Sequence, residues 1–493
     1  MKGRSAQIVR LLLVSVALAA LLLGAPAEAS RRARSSRHSL RKHHVVRVRH
    51  SRRVPRARHA HRARRAHRTP RDPFTKQLVR PAPRAVAPVS KTASRRSNSA
   101  APHGSASRKA PAARVSLMPS PEPSQAPATG RLPAAPSLAD TWSQPQVRSV
   151  RFDAAYYYGV GKSARALAAE LTQSWADKGI NLVYYYAYNR VYGARYYTRY
   201  AGMPLEDYGQ QDLLGHMLRE AHARGVKVVA WLSGPQSKQM WESHPDWRQK
   251  RTDGSDYQPD RDSFPLCVRH PEVQQWWFGL IADLLDRYPE LDGVDIAEAQ
   301  VDLWGDNACH CARCQGETHD RQAWREYRAE GLTEFLLATT RLVRSRGRET
   351  HITTTFTARP DGALMSPDDI RDATGFDLRA LLASPDRPDV IQAELIWQQW
   401  AALYRDQATF TARWTQEAVR RAKQLVAGRA KLIAHVELTD FGCGGLSGPS
   451  ITRTVASAVA GAPYGVDIYD AHQLDRVEGA TQYLQTAWLP PSG

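Results

Sequence analysis

Two hydrophobic rhythms alternate along the chain from about residue 151. Short, nearly continuous apolar runs suit strands buried on both faces. Between them lie stretches whose apolar residues recur every three or four positions, as in amphipathic helices. The runs are AAYYYGV (154–160), INLVYYYAY (180–188), VKVVAWL (226–232), LDGVDIAEA (291–299), HITTTFT (351–357), DVIQAELIW (389–397), KLIAHVEL (431–438) and GVDIYD (465–470). Helical segments such as LLGHMLREAHARG (213–225), closed by Gly225, and VQQWWFGLIADLLDRY (273–288) separate them. Eight strands alternating with helices predict an α/β fold closed as a (β/α)8 TIM barrel. The alternative is an open doubly wound sheet, which has fewer strands and a Gly-rich first turn. GVGKS (159–163) imitates that turn without the phosphate-loop spacing.

The first third of the chain follows neither rhythm. Residues 1–29 read as a signal peptide. Lys2, Arg4 and Arg10 precede the apolar run LLLVSVALAALLL (11–23), and AEA (27–29) supplies small residues before Ser30. The run is shorter than the roughly 20 residues of a bilayer-spanning helix, which favours cleavage over anchoring. The expectation is a secreted, periplasmic or cell-envelope protein with no transmembrane segment after cleavage. Residues 30–147 are Arg/His-rich and then Ala/Pro/Ser-rich, a composition that predicts disorder. The domain of interest is then 148–493.

Charge divides the chain at the same place. Residues 1–150 hold 31 Lys and Arg against 4 Asp and Glu, so the whole-chain net charge of +21 resides in the tail and the remainder carries −6. The tail suits anionic envelope polymer, and its bland reading is a solvated linker. The mildly acidic remainder argues against a specific nucleic-acid partner.

In a (β/α)8 barrel, chemistry collects at the C-terminal ends of the strands. There the sequence places Trp231 on strand 3, Asp292, Asp295 and Glu298 on strand 4, Glu394 and Trp397 on strand 6, Glu437 and Asp440 around the end of strand 7, and Asp467 and Asp470 on strand 8. Asp292 stands in a DG pair that reads as a turn. Asp295 lies inside an apolar run, where an acid needs a partner or a role. Paired carboxyls across a pocket are what glycosidic cleavage uses: one protonates the leaving oxygen, and the other attacks the anomeric carbon or activates water. Tyr157, Tyr185, Trp231, Trp241 and Trp397 could stack on sugar rings, or equally pack the barrel wall. A carbohydrate substrate follows from this set.

These positions resemble the retaining glycoside hydrolases of the large (β/α)8 superfamily. Those enzymes carry the acid/base Glu at the end of strand 4 and the nucleophile Glu at the end of strand 7. The resemblance implies Glu298 as acid/base and Glu437 as nucleophile, about 5–5.5 Å apart for retention and about 6.5–9.5 Å for inversion. The segment EAHARGVKVVAWLSG with the following SHPDWRQKRTDG (220–254) also resembles barrel families known as hypothetical glycosyl hydrolases. Ala297 stands where the superfamily carries Asn, which leaves Asp295 as an alternative reactive carboxylate. It also leaves room for a second reading, a non-catalytic glycan-binding barrel of the envelope.

Cys309, Cys311 and Cys314 form C-x-C-x-x-C, with Cys267 upstream and Cys443 after strand 7. Close-set thiols of this kind suit a tetrahedral structural zinc. Export favours disulfides instead, with one cysteine left over. The arrangement resembles the structural zinc cluster of family 42 β-galactosidases, which implies Cys267, Cys309, Cys311 and Cys314 as ligands and Cys443 as spare. The cluster would fasten the loop after strand 4, and no catalytic cofactor is expected.

Overall fold

The computed structural model describes residues 145–200, 207–302, 307–315, 320–438 and 447–488. The expected signal peptide, nearly all of the tail, Asp440 and Cys443 fall outside these residues. Eight parallel strands close into a barrel: β1 (Val147–Phe152), β2 (Leu182–Asn189), β3 (Lys227–Ser233), β4 (Gly293–Ala297), β5 (Glu349–Thr355), β6 (Val390–Glu394), β7 (Lys431–Glu437) and β8 (Gly465–Tyr469). Each strand pairs with its sequence neighbours, and β1 pairs with both β2 and β8 to complete the ring. A two-residue strand, Gly193–Ala194, folds back antiparallel on the end of β2.

The first strand differs from expectation. AAYYYGV is not extended: Asp153 caps a short 3-10 turn at Ala154–Tyr157 by accepting from the Ala155 amide. The strand is VRSVRF just before it, whose two arginines broke the apolar signature. Elsewhere local chemistry sets the boundaries. Ser163, Asp212, Asp320 and Ser447 each accept a backbone N–H at the start of a helix, satisfying donors with no intrahelical partner.

The strand faces alternate, save at the end of β2, where a bulge after Tyr186 turns both Ala187 and Tyr188 to the helix side. Helix-facing positions such as Val150, Phe152, Val183, Val228, Ile296, Ile352, Ile391 and Val436 join one large apolar core. The barrel interior is polar through its middle. Arg151, only 2% exposed, donates from Nε to Asp467 Oδ2 (2.9 Å) and from Nη2 to Asp295 Oδ2 (2.9 Å) and Thr353 Oγ1 (2.7 Å), and it also contacts Gln392. Its guanidinium lies 4.6 Å from the ring centre of Trp231 and 4.9 Å from that of Tyr184. Asp467 further accepts from Ser149 Oγ (2.8 Å) and pairs with His435 Nδ1 (2.7 Å).

A buried charge stripped of its partner is costly. Arg151→Met would leave Asp295 and Asp467 facing each other without their shared cation. We expect a loss of about 3–5 kcal/mol, read as a lower midpoint in urea denaturation.

Candidate active site

Above the Arg151 layer, toward the C-terminal ends of the strands, the inward-facing side chains of β2, β3 and β8 are aromatic. Trp231, 9% exposed, stacks on Tyr186 with ring centres 3.9 Å apart and planes 11° from parallel, and meets Tyr469 edge-on at 6.2 Å. Tyr186 shares a hydrogen bond with Ser233 (2.6 Å).

One wall carries carboxyls from β6 to β8. Glu437 is the last residue of β7, in register with Tyr469. Burial pushes its carboxyl up to about 7, helped by the negative charges of Glu394 and Asp470 and opposed by His435. Its Oε2 is buried without a hydrogen-bond partner among the described residues. Glu394 ends β6 and accepts from Thr355 Oγ1 (2.6 Å). Asp470 follows β8 and accepts from the Gln473 amide (2.8 Å). Burial raises it to about 6, with Asp153 and Asp475 adding to the rise. Asp153, after β1, is held by Arg195.

The β4 side is built differently. Glu298 follows β4 with φ at +56°, in the left-handed region. By strand alternation it would face the helices, and this turn of the backbone redirects it. Its carboxylate pairs with Arg190 and accepts from Gln236 Nε2 (3.3 Å), and the side chain is 38% exposed. The turn packs so tightly on Gly234 that a Cβ there would stand 3.0 Å from the Glu298 carbonyl oxygen. A non-glycine residue held in this conformation is a common mark of a functional position.

The anticipated residues therefore divide. Glu437 and Glu394 come together, with Asp470 beside them. Glu298 stands apart from that group, paired with a cation. Trp231 is among the inward-facing aromatics. Trp241 lies in the Lys238–Ser243 helix after β3, with the Arg248 guanidinium 3.9 Å from its ring centre. Trp397 opens the Trp397–Tyr404 helix after β6, half-buried, with Nε1 3.4 Å from Thr454 Oγ1.

Three positions serve the scaffold rather than the mouth. Asp295 is fully buried against Arg151, the partner that its apolar surroundings demanded. Tyr185 faces the helices and donates to the Arg195 carbonyl (2.7 Å). Tyr157 packs against Phe152 and donates to Asp475 (2.8 Å). Its neighbour Tyr156 is the exposed one at 37%, stacked on His472 at 4.8 Å. Arg190, His435 and Tyr156 carried no motif in the sequence. The inward parity of His435 with Glu437 was the one available signal.

The cysteines gather as anticipated. The sulfurs of Cys267 and Cys314 are 3.3 Å apart and those of Cys311 and Cys267 3.5 Å, and none of the four is in a disulfide. All four sulfurs lie within 4.8 Å of one another. Thiolates about 2.3 Å from a tetrahedral ion stand about 3.8 Å apart, so the set can hold a metal ion after small outward shifts. The surrounding loop is pinned by His310 N to the Lys250 carbonyl (2.8 Å), Trp324 Nε1 to the Cys309 carbonyl (3.2 Å) and Arg328 to the Ala308 carbonyl (2.7 Å).

The sequence profile of the glycosyl hydrolase-like 10 family matches residues 177–441, from the helix before β2 to just past β7. The chain belongs to the glycosyl hydrolase-like 10 family. Its barrel is one of the (β/α)8 glycoside hydrolase superfamily. Part of the chain is 34% identical over 103 residues to the glycosyl hydrolase DigH of Escherichia coli K12, a match spanning 17% of this chain and 21% of DigH. The fold also resembles the glycoside hydrolase domain of PgaB from Bordetella bronchiseptica. That likeness has a TM-score of 0.52 at 14% identity and covers 70% of this chain and 99% of that one.

The raised Glu437 carboxyl carries a stability consequence. Unfolded, such a group titrates near 4.5; folded, near 7. The folded state therefore holds the extra proton between these values, and stability falls as pH rises from about 4.5 through about 7. Glu437→Gln removes the titrating charge. Thermal denaturation should show the variant more stable than the parent at pH 8, by about 1–3 kcal/mol, with the difference closing toward pH 4.

Proposed function

We propose that the barrel hydrolyses a glycosidic bond in a polysaccharide or oligosaccharide, with Glu437 as the proton donor. The observation that carries this reading is the Glu437 carboxyl itself. It is half-buried with its Oε2 sequestered, its carboxyl is pushed up to about 7, and that oxygen has no hydrogen-bond partner among the described residues. Apolar ring faces of a sugar suit Trp231, and its glycosidic oxygen suits a protonated acid. Glu298, ion-paired with Arg190 on the β4 side, is the second group, and the reaction requires its carboxyl to swing toward Glu437 to about 5–5.5 Å once sugar is bound. In a retaining reaction it attacks the anomeric carbon while Glu437 protonates the departing oxygen. Glu437 then takes the proton from the incoming water. We give the two residues the reverse of the roles that the superfamily resemblance implies, because Glu437 is the one whose carboxyl is raised. The retaining course itself rests on that resemblance, and the anomer first formed, read by proton NMR, tests it.

The ion pair on Glu298 also favours a second reading, a glycan-binding barrel without turnover. Substitution separates the two. Glu437→Gln should lower kcat/KM about 10²–10⁴-fold while sugar binding persists. Parent kcat/KM should fall as pH rises through about 7, where Glu437 loses its proton. Full activity in that variant would remove Glu437 from the reaction.

We further propose that Cys267, Cys309, Cys311 and Cys314 hold a structural zinc. The donors are all thiols and no water-filled coordination position is called for, so the ion would fasten the loop after β4 and take no part in chemistry. The supporting observation is four close, unbonded sulfurs on a pinned loop. Elemental analysis should find one zinc per chain, and Cys314→Ser should lose it and lower Tm. We also propose, from the signal peptide expected of residues 1–29 and the tail's surplus positive charge, a place among anionic polymers of the cell envelope.

A further inference from the structure

The long loop after β3 brings a second set of metal-ligating side chains together, apart from the thiols. Asp246 lies in the 3-10 turn Pro245–Trp247, and His270 and Glu272 stand at the start of the helix Pro271–Arg287. One ligand atom from each falls within 4.8 Å of the others: an imidazole nitrogen and two carboxylate oxygens. Backbone bonds hold the two segments side by side. The Cys267 amide donates to the Trp247 carbonyl (2.8 Å), and the His270 amide donates to the Cys267 carbonyl (2.9 Å). Trp247 completes the frame. Its Nε1 donates to Glu272 Oε2 (3.0 Å), and its ring centre stands 5.9 Å from that of His270.

Each carboxylate by itself has an ordinary reading. Glu272 sits in the first turn of a helix, where an acid meets the positive end of the macrodipole. Asp246 is a surface acid, its side chain 69% exposed. The imidazole has no such reading. His270 is 5% exposed, and its side chain does not cap the helix it precedes. Its ring makes no hydrogen bond among the described residues, and Nδ1 is buried without a partner. Nε2 faces Asp246 Oδ2 at 3.6 Å, too long for a hydrogen bond. Two ligands each about 2.0–2.2 Å from one ion stand about 3–3.5 Å apart, so the gap is close to the one a shared cation sets.

We propose that Asp246, His270 and Glu272 bind a divalent first-row metal ion, with water completing its coordination. Two carboxylates and a neutral imidazole leave two negative charges, which such an ion offsets. One nitrogen and two oxygens form a harder donor set than four thiols, and they suit manganese, iron or zinc. The ion bridges the turn at Asp246 to the helix start at His270, closing the loop after β3 on itself. It lies three residues along the chain from Cys267 and shares no ligand with the thiol set. Three ligands at the surface hold an ion less firmly than a closed set of four, so metal is added to fill the site.

Mn²⁺ is the probe, because it avoids thiols and is read by EPR. The full chain should take up one Mn²⁺ more than Asp246→Asn/Glu272→Gln, whose substitutions lie at the surface and spare the fold. The histidines of the tail are the same in both proteins, so the difference counts the loop site alone. Pulsed EPR should show coupling of the bound ion to an imidazole nitrogen, and His270→Gln should lose that component. Only a site made by folding stabilises the folded state, so Mn²⁺ should raise the Tm of the parent and leave that of Asp246→Asn/Glu272→Gln unmoved. Equal Mn²⁺ uptake, or an equal change in Tm, in parent and double variant would overturn the proposal. A nitrogen signal unchanged in His270→Gln would overturn it too, since the two carboxylates would then be a surface pair and nothing more.

Discussion

A single buried guanidinium organises this barrel. Arg151 of β1 reaches across the closed sheet to Asp467 of β8 and Asp295 of β4, and in doing so links strands that are not all neighbours. In a dry interior such an arrangement is stable only when every charge is paired and every lone pair used. Here both carboxylates accept from Arg151, and hydroxyls of Ser149 and Thr353 fill further positions. The rings of Trp231 and Tyr184 lie close to the guanidinium, so its faces meet aromatic surface rather than aliphatic chain. The layer carrying Arg151 is thus both the core of the barrel and the platform on which the mouth rests.

That platform explains the asymmetry of the mouth. On the β6–β8 side, Glu437 and Asp470 are raised by burial and stand near Glu394, while His435, inward on β7 like Glu437, is bound to Asp467 below. On the β4 side, Glu298 is half-exposed and balanced by Arg190 from the loop after β2. The two carboxyls thus stand in contrasting surroundings, one crowded by acids and the other beside a cation, the kind of contrast that the proposed reaction would use. The thiol cluster belongs to the β4 side as well. It brings residues 309–314 beside Cys267, a few residues before the helix Pro271–Arg287, where a bound metal ion would fasten the two segments together.

Much of the fold was legible because strand and helix periods are read directly from apolar spacing. Seven of the eight strands lie within or beside the expected runs. The first was hidden because its inward positions are Ser149 and Arg151: in an eight-stranded barrel with a polar interior, a strand can alternate charge with Val and Phe and still be wholly buried. The same parity sorts the tyrosines of YYY (184–186). Tyr184 and Tyr186 point into the barrel, while Tyr185 faces the helices. The C-x-C-x-x-C spacing set three of the cysteines close together, while Cys267, 42 residues upstream, joined them only through the family resemblance. What the sequence could not carry was partnership across the chain. Nothing near Glu298 announces Arg190, and nothing near Asp295 announces Arg151, 144 residues away.

Glu437 is the point at which the sequence-level rules are deliberately broken. A carboxyl placed where water is scarce and two acids stand close is disfavoured on every count that governs folding. It would be simpler for the fold to put Gln there, or to give the carboxyl an arginine as Glu298 has. The surrounding structure is otherwise scrupulous about pairing its buried charges, as the Arg151 layer shows. Among the described residues the Glu437 oxygen shares its unpartnered state with other inward-facing atoms, Gln392 Nε2, His351 Nε2 and Trp231 Nε1 among them, so what sets it apart is its place at the C-terminal end of β7, where barrel chemistry collects, together with two neighbouring acids.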